Sequence, residues 1–290
     1  HGGPTNLGAG LNPAPATTFT GPAGSQRSAW SVSCAGDVNG DGYSDIITGH
    51  YLGSIGGPTE EGAAFVHLGS PTGVSTTPAT IIDGGQASAW MGRSVAGAGD
   101  VNGDGFGDVL VGAVTYTNGQ ALEGAAFLYL GSSAGVSNVF HRRFELNFSG
   151  ANVGECVATA GDVNGDGFSD MIVGAENYGG SLLGAAAIYH GGTEYTSVTP
   201  SAQWTYSQTN ALAGWCVAHA GDLNGDGYSD VAIGAKDAAS GQAGEGLVFV
   251  HYGSTTGIGT VPDLTLQINV AGAGFGACVN TAGDVNGDGY

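Results

Sequence analysis

The chain has 290 residues and carries 25 acidic side chains against 5 basic ones, a formal net charge of −20. That balance argues against nucleic acid and anionic membranes as partners, because both are recognised through basic patches. No apolar run approaches the roughly 20 residues that span a bilayer. The 57 glycines are close to three times the usual share of about 7%, and with few Leu, Lys and Glu they argue against long helices.

In chain order, the first recognisable piece is HGG at 1–3, which matches HGG at 190–192, so the chain is expected to open at the end of a blade's third strand. The start at His1 rather than Met fits a processed or partial chain. Next comes AGDVNGDGYSD at 35–45, followed by the apolar run IITG at 46–49. A short run rich in Val and Ile predicts a strand buried on both faces. A variable loop follows at 50–61, then a Gly-led strand, GAAFVHLG, at 62–69, and a turn, SPTGV, at 70–74. A polar-apolar stretch leads to SVAGAGD at 94–100, which predicts the strand entering the next copy.

The same order returns along the chain. The acidic segment recurs as AGDVNGDGFGD at 98–108, AGDVNGDGFSD at 160–170, AGDLNGDGYSD at 220–230 and AGDVNGDGY at 282–290. Its first Asp falls at 37, 100, 162, 222 and 284, a period of 60 to 63 residues. The apolar runs VLVG, MIVG and VAIG and the Gly-led strands GAAFLYLG, GAAAIYHG and GLVFVHYG recur in phase, with variable loops at 114–123, 175–183 and 235–245. Each period therefore predicts four strands, which describes a β-propeller blade better than a solenoid rung. The expected fold is all-β: one propeller, or a piece of one, over 1–290, with four complete repeats of four-stranded antiparallel blades and partial blades at both ends. Because the partial blades together lack two strands, the chain is expected to be a fragment or to have its gap filled by another chain.

Each complete loop reads D-x-N-x-D-G-x-x-D. Oxygen side chains at loop positions 1, 3 and 5 of a tight turn converge on one point, position 7 offers its carbonyl, and position 9 returns a carboxylate, the hard oxygen set that Ca²⁺ prefers. Gly at position 6 permits a left-handed turn. The predicted ligands are Asp37, Asn39, Asp41, the Tyr43 carbonyl and Asp45 in the loop at 37–45. The loop at 100–108 offers Asp100, Asn102, Asp104, Phe106 and Asp108. The loop at 162–170 offers Asp162, Asn164, Asp166, Phe168 and Asp170, and the loop at 222–230 offers Asp222, Asn224, Asp226, Tyr228 and Asp230. In the loop at 284–290 Asp284, Asn286 and Asp288 remain, and position 9 is missing. These loops hold 14 of the 25 acidic residues, so solubility alone does not explain the acidity, and packed carboxylates repel without a cation. Mg²⁺ fits less well because it dehydrates reluctantly. An EF-hand would need Glu at position 12, where Thr48, Val111, Val173 and Ile233 stand, and flanking helices.

The motifs AGDVNGDG, VGA at 111–113 and 173–175, and Phe275-Gly276 resemble the FG-GAP repeat of the integrin α-subunit propeller and its bacterial relatives, over nearly the whole chain. The chain departs from that pattern at Met91-Gly92, Val153-Gly154 and Ala213-Gly214 in the FG position, and at Val114, Glu176 and Lys236 where a Pro would follow Gly-Ala. The resemblance implies a secreted or cell-surface location and a role in adhesion, with a protein or carbohydrate partner. Two other roles are compatible with the sequence: a structural subunit of an extracellular filament or surface layer built from copies of the chain, and an accessory domain of a secreted enzyme.

No nucleophile elbow, HExxH or recognisable catalytic triad occurs, so the chain is not expected to be an enzyme. His67 and His251 fill a slot taken elsewhere by Tyr129 and Tyr189, which reads as a half-buried strand position. Cys156, Cys216 and Cys278 share a repeat position with Ser31 and Ser94 and read as small core residues, with disulfides between blades left open. Tyr51, Tyr116 and Tyr178 on the variable loops are candidates either for partner contact or for ordinary loop packing. Trp30, Trp90, Trp204 and Trp215 are expected in the core or between blades. Asn147-Phe148-Ser149 is a glycosylation sequon.

Overall fold

The computed structural model describes residues 18–19, 29–193 and 198–283. The HGG at 1–3 and the fifth loop, with Asp284, Asn286 and Asp288, lie outside them. Among the described residues there are sixteen strands and no helix. The first sheet is β1 (Ser31–Gly36), β2 (Asp45–Gly49), β3 (Ala63–His67) and β4 (Thr80–Asp83). The second is β5 (Met91–Gly99), β6 (Asp108–Ala113), β7 (Ala125–Tyr129) and β8 (Arg142–Phe144). The third is β9 (Val153–Gly161), β10 (Asp170–Ala175), β11 (Ala185–Tyr189) and β12 (Ala202–Thr205). The fourth is β13 (Ala213–Gly221), β14 (Asp230–Ala235), β15 (Leu247–His251) and β16 (Leu264–Leu266).

Each sheet is an antiparallel meander in chain order, as a propeller blade requires. The first strands of consecutive sheets, β1, β5, β9 and β13, pack on one another in series. In the two middle sheets the second strand is buried on both faces because it sits inside the stack, and its side chains alternate between two neighbours. In β6, Val109, Val111 and Ala113 face the first sheet, whereas Leu110 faces the third. In β10, Met171, Val173 and Ala175 face the second sheet, and Ile172 faces the fourth. Three apolar cores result, one between each pair of consecutive sheets.

The sheets meet along a seam of glycines. A Cβ at Gly112, Gly174 or Gly234 would collide with the carbonyl oxygen of Gly154, Gly214 or Gly276 in the next sheet's first strand or its equivalent. Relief would require parting two backbones, so Gly174→Ala is expected to cost about 3 kcal/mol or more. A urea titration checks this: an unchanged midpoint would show that the seam is looser than these distances.

Several expectations are corrected. His67 and His251 are buried, and each Nδ1 lies near a backbone oxygen, Ser75 at 3.0 Å and Gly259 at 3.1 Å. Burial pushes both imidazoles below their ordinary pKa, which suits a packing role and not a general base. Tyr51 is buried and edge-packed on Trp30 and Trp90. Tyr116 packs on Phe127, and Tyr178 on Phe148. These loop aromatics therefore turn inward. Trp204 is buried against Phe249, as expected of a core residue, but Trp30 is 47% exposed.

All four cysteines are free thiols; Cys278 is exposed and Cys156 and Cys216 are half-buried rather than in the core, and Cys34 is exposed as well. Cys156 Sγ accepts from the Val217 amide and Cys216 Sγ from the Val279 amide, both at 3.2 Å. Ser94 Oγ does the same for Val157 at 3.0 Å. At Ser94 and Cys156 the shared slot is thus a hydrogen-bond acceptor that joins the first strands of neighbouring sheets, whereas Ser31 Oγ donates to the Gly92 carbonyl at 3.0 Å.

Candidate metal centre

The four complete Asp-Asn-Asp loops occupy one place in the fold, the connection between the first and second strands of each sheet. The glycine before each loop, at 36, 99, 161 or 221, pairs with the position 9 Asp and adopts a left-handed φ of +73° to +86°. A bulge there bends the hairpin so that the loop folds back on itself. The position 6 glycines have φ between +87° and +93°, as the spacing predicts.

The loop side chains fall into two groups. At positions 1 and 5 the carboxylates are near the surface and organise their own turn. In the third loop Asp162 Oδ1 accepts from the Gly165 and Asp166 amides at 2.7 and 3.1 Å, and its Oδ2 accepts from Gly167 at 2.9 Å. Asp166 Oδ1 accepts from the Phe168 amide at 3.0 Å, and Asn164 Nδ2 donates to Asp166 Oδ2 at 2.9 Å. The Asp37, Asp100 and Asp222 turns repeat this with small changes.

The position 9 carboxylates, Asp45, Asp108, Asp170 and Asp230, are fully buried. Each is a two-ended staple. Oδ2 accepts from the position 2 amide, that of Val38, Val101, Val163 or Leu223, at 2.7–2.9 Å. Oδ1 accepts from a glycine just beyond the third strand, Gly69, Gly131, Gly191 or Gly253, at 2.7–2.9 Å. This second bond, which ties the loop to the far side of its own sheet, was not readable from the spacing.

Among the described residues no three acidic, histidine or cysteine side chains stand together at metal-ligand spacing; the loop acids are held by backbone amides. The residues nevertheless fit a hard cation on three grounds. Every side-chain or backbone donor at positions 1, 3, 5, 7 and 9 is an oxygen, the class Ca²⁺ takes. A carboxylate that accepts two amides keeps lone pairs free. The charges are also uncompensated: the described ion pairs, Arg93–Glu155 and Arg143–Glu145, involve no loop acid. Burial, followed by the charges of the position 5 and position 1 Asp, raises all four position 9 carboxyls against the lowering pull of their amide bonds, Asp108 and Asp170 to about 7. The acids at positions 1, 5 and 9 thus feel one another.

The opposite ends of the sheets carry the variable loops, and these hold features that the sequence reading missed. Glu61, Glu123 and Glu245 are buried inside three of them. Glu123 accepts from the Asn118 and Gln120 amides, and Glu245 from Ser240 and Gln242. Glu61 accepts from Ile55. The signal was present as Glu-Gly ahead of the Gly-led strand in three of four repeats. Between these loops Arg93 forms a two-pronged ion pair with Glu155 of the next sheet and lies 5.0 Å over the Trp30 ring. Lys236 Nζ lies 3.3 Å over Trp215.

Two family models match the chain: the FG-GAP repeat over 29–67 and 91–126, and an FG-GAP-like repeat over 162–233. The chain is similar to integrin alpha-4 of Xenopus laevis, 32% identical over 208 residues, covering 67% of this chain and 19% of that protein. It is 28% identical over 237 residues to integrin alpha-PS2 of Drosophila melanogaster, 72% of this chain and 16% of that protein. It is 31% identical over 169 residues to phosphatidylinositol-glycan-specific phospholipase D of Bos taurus, 54% of this chain and 20% of that protein. The chain spans a fifth or less of the length of these relatives.

Proposed function

This chain belongs to the FG-GAP repeat family, and on that premise we propose that it is a calcium-binding propeller module that acts outside the cell by presenting its loops to a protein or glycan partner. The observation that carries the calcium reading is the fourfold recurrence of one all-oxygen loop, at one place in each sheet, with mutually repelling carboxylates and no basic partner. Positions 1, 3, 5 and 9 would hold the ion through side chains and position 7 through its carbonyl. Bound there, calcium supplies the positive charge that the loop lacks. The residues supply the rest: the position 9 staple fixes each loop to its sheet, and the position 1 carboxylate holds the turn closed.

The variable-loop end is the presenting face. Buried Glu61, Glu123 and Glu245 hold those loops in one shape, and rigid loops lose little entropy on binding. Leu122 and Leu182, near the ends of two of these loops, are 52% and 37% exposed and offer apolar contact. The integrin relatives support an adhesion role, and binding rather than catalysis is the activity we assign. Equilibrium dialysis in millimolar Ca²⁺ tests the metal reading. About four ions per chain are expected, one for each complete loop; none bound would overturn it.

A second reading, assembly of copies into a filament or surface layer, is favoured by apolar residues on the outer sheets. Val32 and Ile81 on the first sheet and Leu264 and Leu266 on the last are exposed. Sedimentation decides between the two: a concentration-independent monomer removes the assembly reading.

A further inference from the structure

We propose that each of the first three calcium loops is framed by the loop of the following sheet, through the aromatic residue at position 7 and the amide at position 8, so that the four loops bind calcium as a coupled series. This rests on the calcium reading above and adds to it a connection between sites.

Three contacts recur at each of the three junctions between loops. First, the aromatic ring at position 7 lies on the position 4 glycine of the preceding loop. A methyl group at Gly40 would stand 2.8 Å from Phe106 Cε1, at Gly103 2.6 Å from Phe168 Cε1, and at Gly165 2.6 Å from Tyr228 Cε1. Only glycine admits the ring there. Second, the position 8 amide donates to the carbonyl of the preceding loop's position 1 Asp: Gly107 to Asp37 at 2.8 Å, Ser169 to Asp100 at 3.0 Å and Ser229 to Asp162 at 2.9 Å. Third, the amide of the residue after the stapled glycine donates to the preceding position 2 carbonyl: Ser132 to Val38, Gly192 to Val101 and Ser254 to Val163, at 2.8–3.1 Å.

The residues in these contacts are the ligand-bearing ones. Phe168 offers its carbonyl to the third loop and its ring to the second. Asp100 offers its carboxylate to the second loop, while its own carbonyl is held by the third. Ordering one loop therefore orders the frame of its neighbour, and the second ion meets a turn whose entropy has already been lost. Coupling of this kind is reciprocal, so each loop raises the affinity of the other by the same factor. Phe106, Phe168 and Tyr228 are positioning residues: they act on the preceding site without supplying it a ligand.

The test is calcium titration of chelator-treated protein by calorimetry, with the Gly165 and Gly167 amides followed by NMR as reporters of the third loop. Asp226→Ala, an exposed change that disables only the fourth loop, is expected to weaken calcium binding at the third by about fivefold or more. Phe168→Ala is expected to weaken the second loop in the same way, and Phe168→Tyr to restore it, a rescue that a general loss of stability would not show. If calcium binds and Asp226→Ala leaves the third loop's affinity unchanged, the coupling is overturned and the calcium reading stands. If the wild-type protein takes up no calcium, the calcium reading falls and the coupling falls with it. Should Phe168→Ala fail to fold, the Asp226→Ala comparison decides alone.

Discussion

Excess chelator is expected to lower the melting temperature of this protein by about 10 °C or more relative to 10 mM Ca²⁺. Extracellular calcium modules bind with a Kd of about 10⁻⁴–10⁻³ M. At 10 mM each occupied site then adds about 1.4–2.7 kcal/mol, and a domain of this size shifts by about 2–4 °C per kcal/mol. The pH dependence of the chelated protein gives a second check. Asp108 and Asp170 are raised to about 7 from 3.8, first by burial, so the folded chain holds protons that the unfolded chain has released. Their contribution is therefore fully present below about pH 4 and is lost as pH rises through about 7. In chelator the melting temperature should fall across that window. Calcium should remove the fall, because a cation favours the ionised carboxyls. Equal melting curves with and without calcium at pH 7.5 would refute both expectations.

The two kinds of loop acid should separate cleanly by mutation. Asp170→Ala strands the buried amide of Val163 and the half-buried amide of Gly191. Each unsatisfied buried group costs about 1–3 kcal/mol, so a loss of about 3–5 kcal/mol is expected even in chelator. Asp166→Ala removes an exposed side chain whose partners can turn to water, and in chelator it should cost less than about 1 kcal/mol. In calcium both variants should lose the third ion. Denaturant titrations of the two variants in both buffers give four stabilities. A chelated Asp166→Ala as unstable as Asp170→Ala would show that the outer acid is structural too.

The repeat made the sheets legible, because a period of about sixty residues with two apolar runs per copy leaves few other ways to bury Val109–Val111 and Met171–Val173. The loops were legible because ligand spacing is local. Local spacing did not reveal where position 9 points. Asp108 meets Gly131, 23 residues away, and such a partner is fixed only when the third strand lies beside the second. In the sequence Tyr51 stays open between partner contact and loop packing for a related reason: the choice is fixed only when Trp30 of its own sheet and Trp90 of the next close around it. The Arg93–Glu155 pair spans 62 residues, one full period. Only the stacking of one sheet on the next brings such partners together.

The glycine seam has a consequence for assembly of the fold. Gly112 against Gly154 is chemically the same joint as Gly174 against Gly214 or Gly234 against Gly276. Backbone meeting backbone carries no address, so the seam accepts any sheet as the next in line. Identity must come from side chains that differ between copies, and Arg93 with Glu155 is such a lock and key. Where that label is absent, correct order rests on the tether of the chain itself, and the characteristic error of this architecture is a whole sheet docked one place out of turn.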